Sequence, residues 1–354
     1  MRVRHIRPLC LGVAVCLLVP VASWAAEGRI PVYAPGTVIT SPGKYIVTRN
    51  LTQIAGPAVI TIAAQNVELD LNGFLLEHDG GGTGILVNDP SDVLIRNGSI
   101  QGVSVGIDAQ SLAAERLVVE DVRIYVSNTA GIRVANVNNV IVRRVLIHRS
   151  FGDGIRITGN DTTGEISDSQ IKAVGDQAIE LLGGGSFALL RNKINGSTQE
   201  GIRVDGCRGC RIESNSVTHG GGAAGINLTS MLEGSVTNNS SAQSTNVGIR
   251  VGTACESVLV RGNVASGSGS HGLLVEGAYL KIEDNVLTNN GGYGLRFASS
   301  SNRCTFGRNM ARNNFGAGGG PCAGPPALFP PDSCNDGIIN FTFGDNLIPG
   351  PALF

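Results

Sequence analysis

The chain has 354 residues, of which 16% are charged and 5% aromatic, with 27 Lys and Arg against 28 Asp and Glu. That balance excludes an electrostatic nucleic-acid binder, which needs a clear basic excess. Fifty glycines, about twice the usual share, together with abundant Val, Ile, Asn and Ser, predict many short strands joined by tight turns.

In chain order, the first element is a secretory leader. Arg2, Arg4 and Arg7 form a basic start, Leu9 to Ala22 an apolar run, and Ser23-Trp24-Ala25 a small-residue cleavage site, so the expected leader is 1–25. The apolar run is short for a membrane span, and no other run in the chain could serve as one. Removing the leader leaves 24 basic against 28 acidic side chains and no tryptophan. The exported chain retains Cys207, Cys210, Cys255, Cys304, Cys322 and Cys334 for an oxidising compartment. Residues 26–57 are expected to form an N-terminal cap.

From 58 to 315 the chain repeats. "GIRV" stands at 131–134, 201–204 and 248–251, and "GIRI" at 154–157. A small residue precedes a branched aliphatic at Gly84, Gly106, Gly131, Gly154, Ala178, Gly201, Gly225, Gly248, Gly272 and Gly294, spaced 22–25 residues apart. A second marker keeps step: Asn97, Asp121, Asp168, Asn192, Asn215, Asn239, Asn263, Asn285 and Asn309. The segments within each repeat alternate apolar and polar residues like strands, and none has a helical period. A repeat of this length suits one coil of a parallel β-helix better than a propeller blade. About ten coils are expected. Ile132 and Val134 should fill the interior, the glycine should take a positive φ at the turn, and the asparagines should combine a left-handed turn with an amide ladder. Residues 316–354, rich in Pro, Gly and Phe, are expected to cap the far end. A disulfide between Cys322 and Cys334, or from either to Cys304, would tie that end down. Cys207 and Cys210 form a CxxC expected to be a local disulfide or a pair of buried thiols.

The "GI" and Asn ladders, with "VELDLNGFLLEH" at 67–78 and "VLIRNGSIQG" at 93–102, resemble the right-handed parallel β-helix proteins of the pectate-lyase-like superfamily over about 250 residues. The resemblance implies an all-β solenoid. Its members are lyases, hydrolases and epimerases of acidic polysaccharides, together with members without known activity, so the fold does not choose among them.

Function in a packed solenoid must lie on outward residues or in turns. The outward residue after each "GI" gives a column: Leu86, Asp108, Arg133, Arg156, Glu180, Arg203, Asn227, Arg250, Leu274 and Arg296. A second, two residues on, includes Asp205 and Glu276. Five arginines in one column suit a groove for an anionic polymer, because the planar guanidinium grips a carboxylate in two places. The alternative is a solvated face that neutralises itself. Arg133, Glu180, Asp205 and Arg250 are the expected substrate-binding residues. Asp153, Asp176 and Glu200 stand before "GI" on successive coils, where paired carboxylates could divide acid and base roles.

"FGDGIRI" and "GDQAIEL" are somewhat similar to two polygalacturonase motifs, but Gln177 replaces the family's second aspartate and its His-Gly and Arg-Ile-Lys are missing at the expected places. Similar lyases use an arginine or lysine as base, with calcium held by acidic residues. Arg156 or Arg203 beside Asp153, Glu180 and Asp205 could supply such catalysis, with Asp153 and Asp176 the carboxylates for hydrolysis, and His148 is another base by residue type. No tight acidic calcium motif is visible and no metal ligands are assigned. The expectation is an exported protein that binds acidic polysaccharide and cleaves or epimerises it, with lyase or epimerase chemistry ahead of hydrolysis. The alternative is a non-catalytic structural or adhesive surface module.

Overall fold

The computed structural model describes residues 28–88 and 91–314, without the side chains of 111–114, and the backbone of two further strands, Ser333–Asn335 and Thr342–Phe343. The leader 1–25, Cys322, the Cys334 side chain and most of the segment 316–354 lie outside the described residues. Among those described there is no α-helix, and so none long and apolar enough to cross a membrane.

Each turn of the chain contributes one strand to each of three parallel sheets. Sheet A carries the "GI" strands, such as Asp153–Thr158 and Ile179–Leu182. Sheet B follows with Thr163–Ser167 and Phe187–Leu190, and sheet C with Gln170–Val174 and Lys193–Ser197. The solenoid makes about eleven turns, one more than the repeat count suggested. The difference lies in the segment expected as the first cap. Ile30–Val32 pairs with Tyr45–Val47, and Thr37–Ile39 with Ile60–Ile62, in the same parallel sense as every later turn. These early turns lack the "GI" signature.

The register explains the returning tetrapeptide. Ile132, Ile155, Ile179, Ile202, Ile226 and Ile249 pair in sequence down sheet A. All are fully buried. Side chains alternate along a strand, so the next residue faces out and the one after it faces in. Sheets B and C repeat the rule with Val142, Ile166, Leu189 and Ile212, and with Ile124, Ile147, Ile171 and Ile194.

The conserved spacing of the glycine has a different cause from the one expected. None of the "GI" glycines has a positive φ. A Cβ on Gly154 would instead stand 2.4 Å from the carbonyl oxygen of Ala178 and 2.7 Å from a methyl of Ile171. The glycine is needed because the next turn's backbone and a core isoleucine crowd that position.

The second marker also divides into two. Asn97, Asp121 and Asp168 take the left-handed turn, with φ of 60°, 55° and 51°. In later turns that place belongs to Arg191, Ser214, Asn238 and Gly262. The asparagines from Asn192 onward stand one residue later and are buried. There the amide Nδ2 of Asn192 donates to Asn215 Oδ1 at 3.0 Å, and the backbone N–H of Asn192 donates to the same oxygen at 2.9 Å. The pattern continues through Asn239, Asn263, Asn285 and Asn309. Each Nδ2 also donates to a carbonyl of the preceding turn, as Asn239 does to Ile212.

A Cys207–Cys210 disulfide closes the corner between sheets A and B, with Cα atoms 6.0 Å apart. Cys255 and Cys304 are buried free thiols, so Cys304 is not tied to the tail as the sequence suggested. Burial pushes both thiols up in pKa, which keeps them protonated and unreactive.

Replacing Asn239 by alanine strands the amide donors of Asn215 and removes the bond to Ile212, and should cost at least about 2 kcal/mol. Asn238→Gly, one residue away at the exposed left-handed position, should change stability by less than about 0.5 kcal/mol. Chemical denaturation of both variants checks this, and equal losses would contradict the division of roles.

Candidate functional site

The register places the predicted arginine column on the outer face of sheet A. Arg133 pairs with Arg156, Arg156 with Glu180, Glu180 with Arg203, Arg203 with Asn227, and Asn227 with Arg250. Such neighbours lie about 4.8 Å apart, so every charge is within reach of the turns above and below.

The arginines are not free. Arg133 grips Asp108 in two places, Nε to Oδ1 at 3.0 Å and Nη2 to Oδ2 at 2.6 Å. Arg156 lies between Glu180 (3.3 Å) and Asp153 (3.6 Å). Arg203 reaches Glu180 at 3.3 Å and Asp205 at 3.5 Å. Arg250 holds Glu276 at 2.6 Å, and Arg296 meets the ring of His271 at 3.0 Å. The self-neutralising alternative therefore describes the electrostatics of this column better than a bare basic groove does. Arg133 and Arg250 belong to ion pairs on either side of the central group, which comprises Asp153, Arg156, Glu180, Arg203 and Asp205.

The central group is unusual in its burial. Asp153 is 5% exposed and Glu180 4%, although both stand on the outer surface of the solenoid. Among the described residues, their polar partners are not loop residues laid over the sheet. The long side chains of adjacent turns pack against them instead. Asp153 Oδ1 accepts the backbone N–H of Gln177 at 3.3 Å, the Gln177 amide donates to Glu200 Oε2 at 3.2 Å, and Asn227 donates to Glu200 Oε1 at 3.2 Å. Glu180 Oε2 and Asn227 Oδ1 are buried without a hydrogen-bond donor, Glu180 Oε2 having only its charge contact with Arg156.

Burial pushes the Asp153 carboxyl up to about 6, helped by the negative charges of Glu180 and Asp176 and opposed by Arg156 and the Gln177 N–H. Burial also raises Glu180, against the pull of Arg156 and Arg203.

Two sequence assignments change. Asp176 is half-buried and stands one residue outside the column, where the position beside Asp153 belongs to Gln177. Asp205 faces Ser230 rather than its expected partner Thr229, because a bulge shifts the register after Val204. Arg156 and Arg203 are each engaged by carboxylates, and a guanidinium does not give up its proton in proteins. Both turn their positive charge toward Glu180. His148 lies on sheet C, edge-on to Tyr125 at 6.4 Å, and takes no part in this group. The network of Gln177, Glu200 and Asn227 was missed, since neither Gln177 nor Asn227 stood out by residue type. Among the described residues no three or more His, Cys, Asp or Glu side chains are arranged to hold a metal ion.

A three-sheet parallel solenoid of this kind has known counterparts. The model of the right-handed β-helix region matches residues 76–194 and 177–320. The chain belongs to the right-handed β-helix family. No curated protein matches the sequence.

Among solved β-helix structures, the A-module of mannuronan C-5 epimerase AlgE6 from Azotobacter vinelandii superposes with a TM-score of 0.62 at 16% identity, covering 90% of this chain and 91% of that one. A double mutant of the periplasmic alginate epimerase AlgG gives 0.54 at 11% identity, covering 86% and 77%. The catalytic unit of a GH87 α-1,3-glucanase from Streptomyces thermodiastaticus gives 0.50 at 15% identity, covering 88% and 63%. At these identities the likeness is one of fold.

The raised Asp153 pKa carries a stability consequence. Its folded value, about 6, lies above the ordinary aspartate value of 3.8, so the folded state binds the proton more tightly. Stability should therefore fall as pH rises from about 4 to about 6, by up to about 3 kcal/mol from this group. Glu180 adds a slope of the same sign. Chemical denaturation across that range should show the decline, and Asp153→Asn should remove most of it.

Proposed function

We propose that this protein acts on an acidic polysaccharide at the Asp153–Arg156–Glu180–Arg203 group. The observation that carries the reading is a buried carboxyl, Asp153, raised to about 6 and joined through Arg156 to a second buried carboxylate, Glu180. A proton-transfer group works best when its pKa lies near the working pH. Arginines beside it suit a uronate, whose carboxylate must be neutralised while the proton on the adjacent carbon is removed. In this reading Asp153, ionised above pH 6, takes that proton. Arg156 and Arg203 turn part of their charge from Glu180 to the sugar carboxylate and stabilise the carbanion. Return of a proton to the opposite face gives epimerisation. Loss of the glycosidic oxygen from the neighbouring carbon gives an unsaturated end.

The neighbours support a polysaccharide as the substrate class. The A-module of AlgE6 is named as a mannuronan epimerase and AlgG as an alginate epimerase, and both cover most of this chain. Export is proposed with it. The leader-like start and the formed Cys207–Cys210 disulfide both suit an oxidising compartment.

The test offers purified protein pectate, alginate, hyaluronan and chondroitin, with calcium and with chelator. It follows unsaturated-product absorbance, reducing ends and, by proton NMR, the epimer ratio. Unsaturated product or a changed epimer ratio is expected on at least one polymer. Asp153→Asn should lower the rate at least about 100-fold while polymer affinity is kept. Reducing ends without unsaturation would move the chemistry to hydrolysis, with Asp153 as acid. Silence on every polymer would overturn the catalytic reading and leave a non-catalytic surface module.

A further inference from the structure

The outer face of sheet C differs in kind from that of sheet A. Its strands and following turns over five successive coils, 122–129, 145–152, 169–175, 192–199 and 215–222, contain no aspartate or glutamate. Each of the first four carries a cation: Arg123, Arg149, Lys172 and Lys193. Among the described residues these four side chains make no hydrogen bond or ion pair, and none is buried. The sheet A arginines from Arg133 to Arg250 are matched by carboxylates, but these cations of sheet C are not.

Aromatic rings share the face. Tyr125 and His148 pack edge to face at 6.4 Å in the register of Lys172. Phe151 is 66% exposed. Beside it lies an open hollow of about 410 Å³ lined by Arg149, Phe151, Ala173, Gly175, Gly196 and Ser197. The two turns after Phe151 place only small residues next to its ring, so the ring face stays open. Ser197 is 6% exposed, and its Oγ has no hydrogen-bond partner.

We infer that the outer face of sheet C, from Arg123 to Thr198, binds an anionic polysaccharide chain, with one sugar ring seated against Phe151. The inference rests on the acidic-polysaccharide reading above, but not on catalysis at sheet A. A polyuronate carries one carboxylate per sugar ring, and the face offers one cation per turn of about 4.8 Å. Duplex DNA carries a charge about every 1.7 Å, a density that one cation per turn does not match. Pyranose rings have an apolar face that packs on an exposed aromatic, while their hydroxyls need polar partners such as the exposed Thr198, which also lines the hollow. Phe151 and Asp153 belong to the same turn. A chain laid along sheet C therefore reaches the corner that carries the Asp153 group, and the face holds polymer beside the site.

The experiment measures alginate affinity by calorimetry at two salt concentrations. It compares the wild type with Arg149→Gln/Lys172→Gln/Lys193→Gln, with Phe151→Ala and with Asp153→Asn. Three exposed charge contacts near the middle of their usual strength amount to about tenfold in affinity. The triple variant should bind at least about tenfold more weakly, with less salt dependence. Phe151→Ala should weaken binding and leave the salt dependence unchanged. Asp153→Asn should bind like the wild type. Arg149, Phe151 and Lys193 are exposed and Lys172 half-exposed, so folding is not at issue in the triple variant or Phe151→Ala, and turnover of a short oligosaccharide should stay unchanged in the triple variant. Wild-type affinity in the triple variant would overturn the inference, whether or not the protein turns over polymer. Tighter binding of single-stranded DNA or anionic vesicles than of alginate would overturn the glycan assignment. If no polymer is turned over but the triple variant still loses alginate, the sheet A reading fails and this one stands.

Discussion

Everything in this molecule follows from one constraint: each residue sits about 4.8 Å from its own counterpart in the next turn. A column of like residues must therefore tolerate itself. Isoleucines do, because branched side chains stack without loss. Asparagines do, because an amide donates on one side and accepts on the other. Charges do not, so they alternate in sign. Glu68 meets Arg96, Asp108 meets Arg133, Glu120 meets Arg143, and Glu180 lies between Arg156 and Arg203. Where two arginines are neighbours, as Arg133 and Arg156 are, they lean apart toward different carboxylates.

The same constraint makes the candidate site. Outward carboxylates on a solenoid would ordinarily be well hydrated. Here the side chains of adjacent turns crowd around Asp153 and Glu180 closely enough to remove them from water. Desolvation raises both pKa values, while Arg156 and Arg203 keep the charge density tolerable. A regular scaffold can therefore tune a proton-transfer group through the identity of a few stacked residues.

Interior and outward positions were legible in the sequence because they recur with the period of the coil. Ile132 faces in and Arg133 faces out for the same reason at every "GI". Details off by a single residue were not legible. Asp168 and Asn192 look alike in a list of spacings, yet one turns the backbone and the other builds the ladder. Asp176 looked equivalent to Asp153, and the strict equivalent is Gln177. Most of the ion pairs were hidden because partners lie some 23–28 residues apart and often in different columns, as Arg250 and Glu276 do. The sheet C face was hidden for another reason. Its signal is a run of turns that lack Asp and Glu, and an absence stands out only once the sheets have been assigned.

The asparagine ladder also gives the solenoid a direction. Each Oδ1 takes its bonds from the turn before, and each Nδ2 gives one to the turn after. A cut between two of these turns would leave the ladder's N–H and Nδ2 donors with a carbonyl acceptor on the earlier turn, and the Oδ1 acceptor with a back-bonding Nδ2 on the later one. The two surfaces would fit each other, but neither would fit a copy of itself. Uncovered ends of such a rod would join head to tail and run on into an open filament instead of closing as a symmetric pair. Covering the ends thus fixes the length of the assembly as well as its solubility.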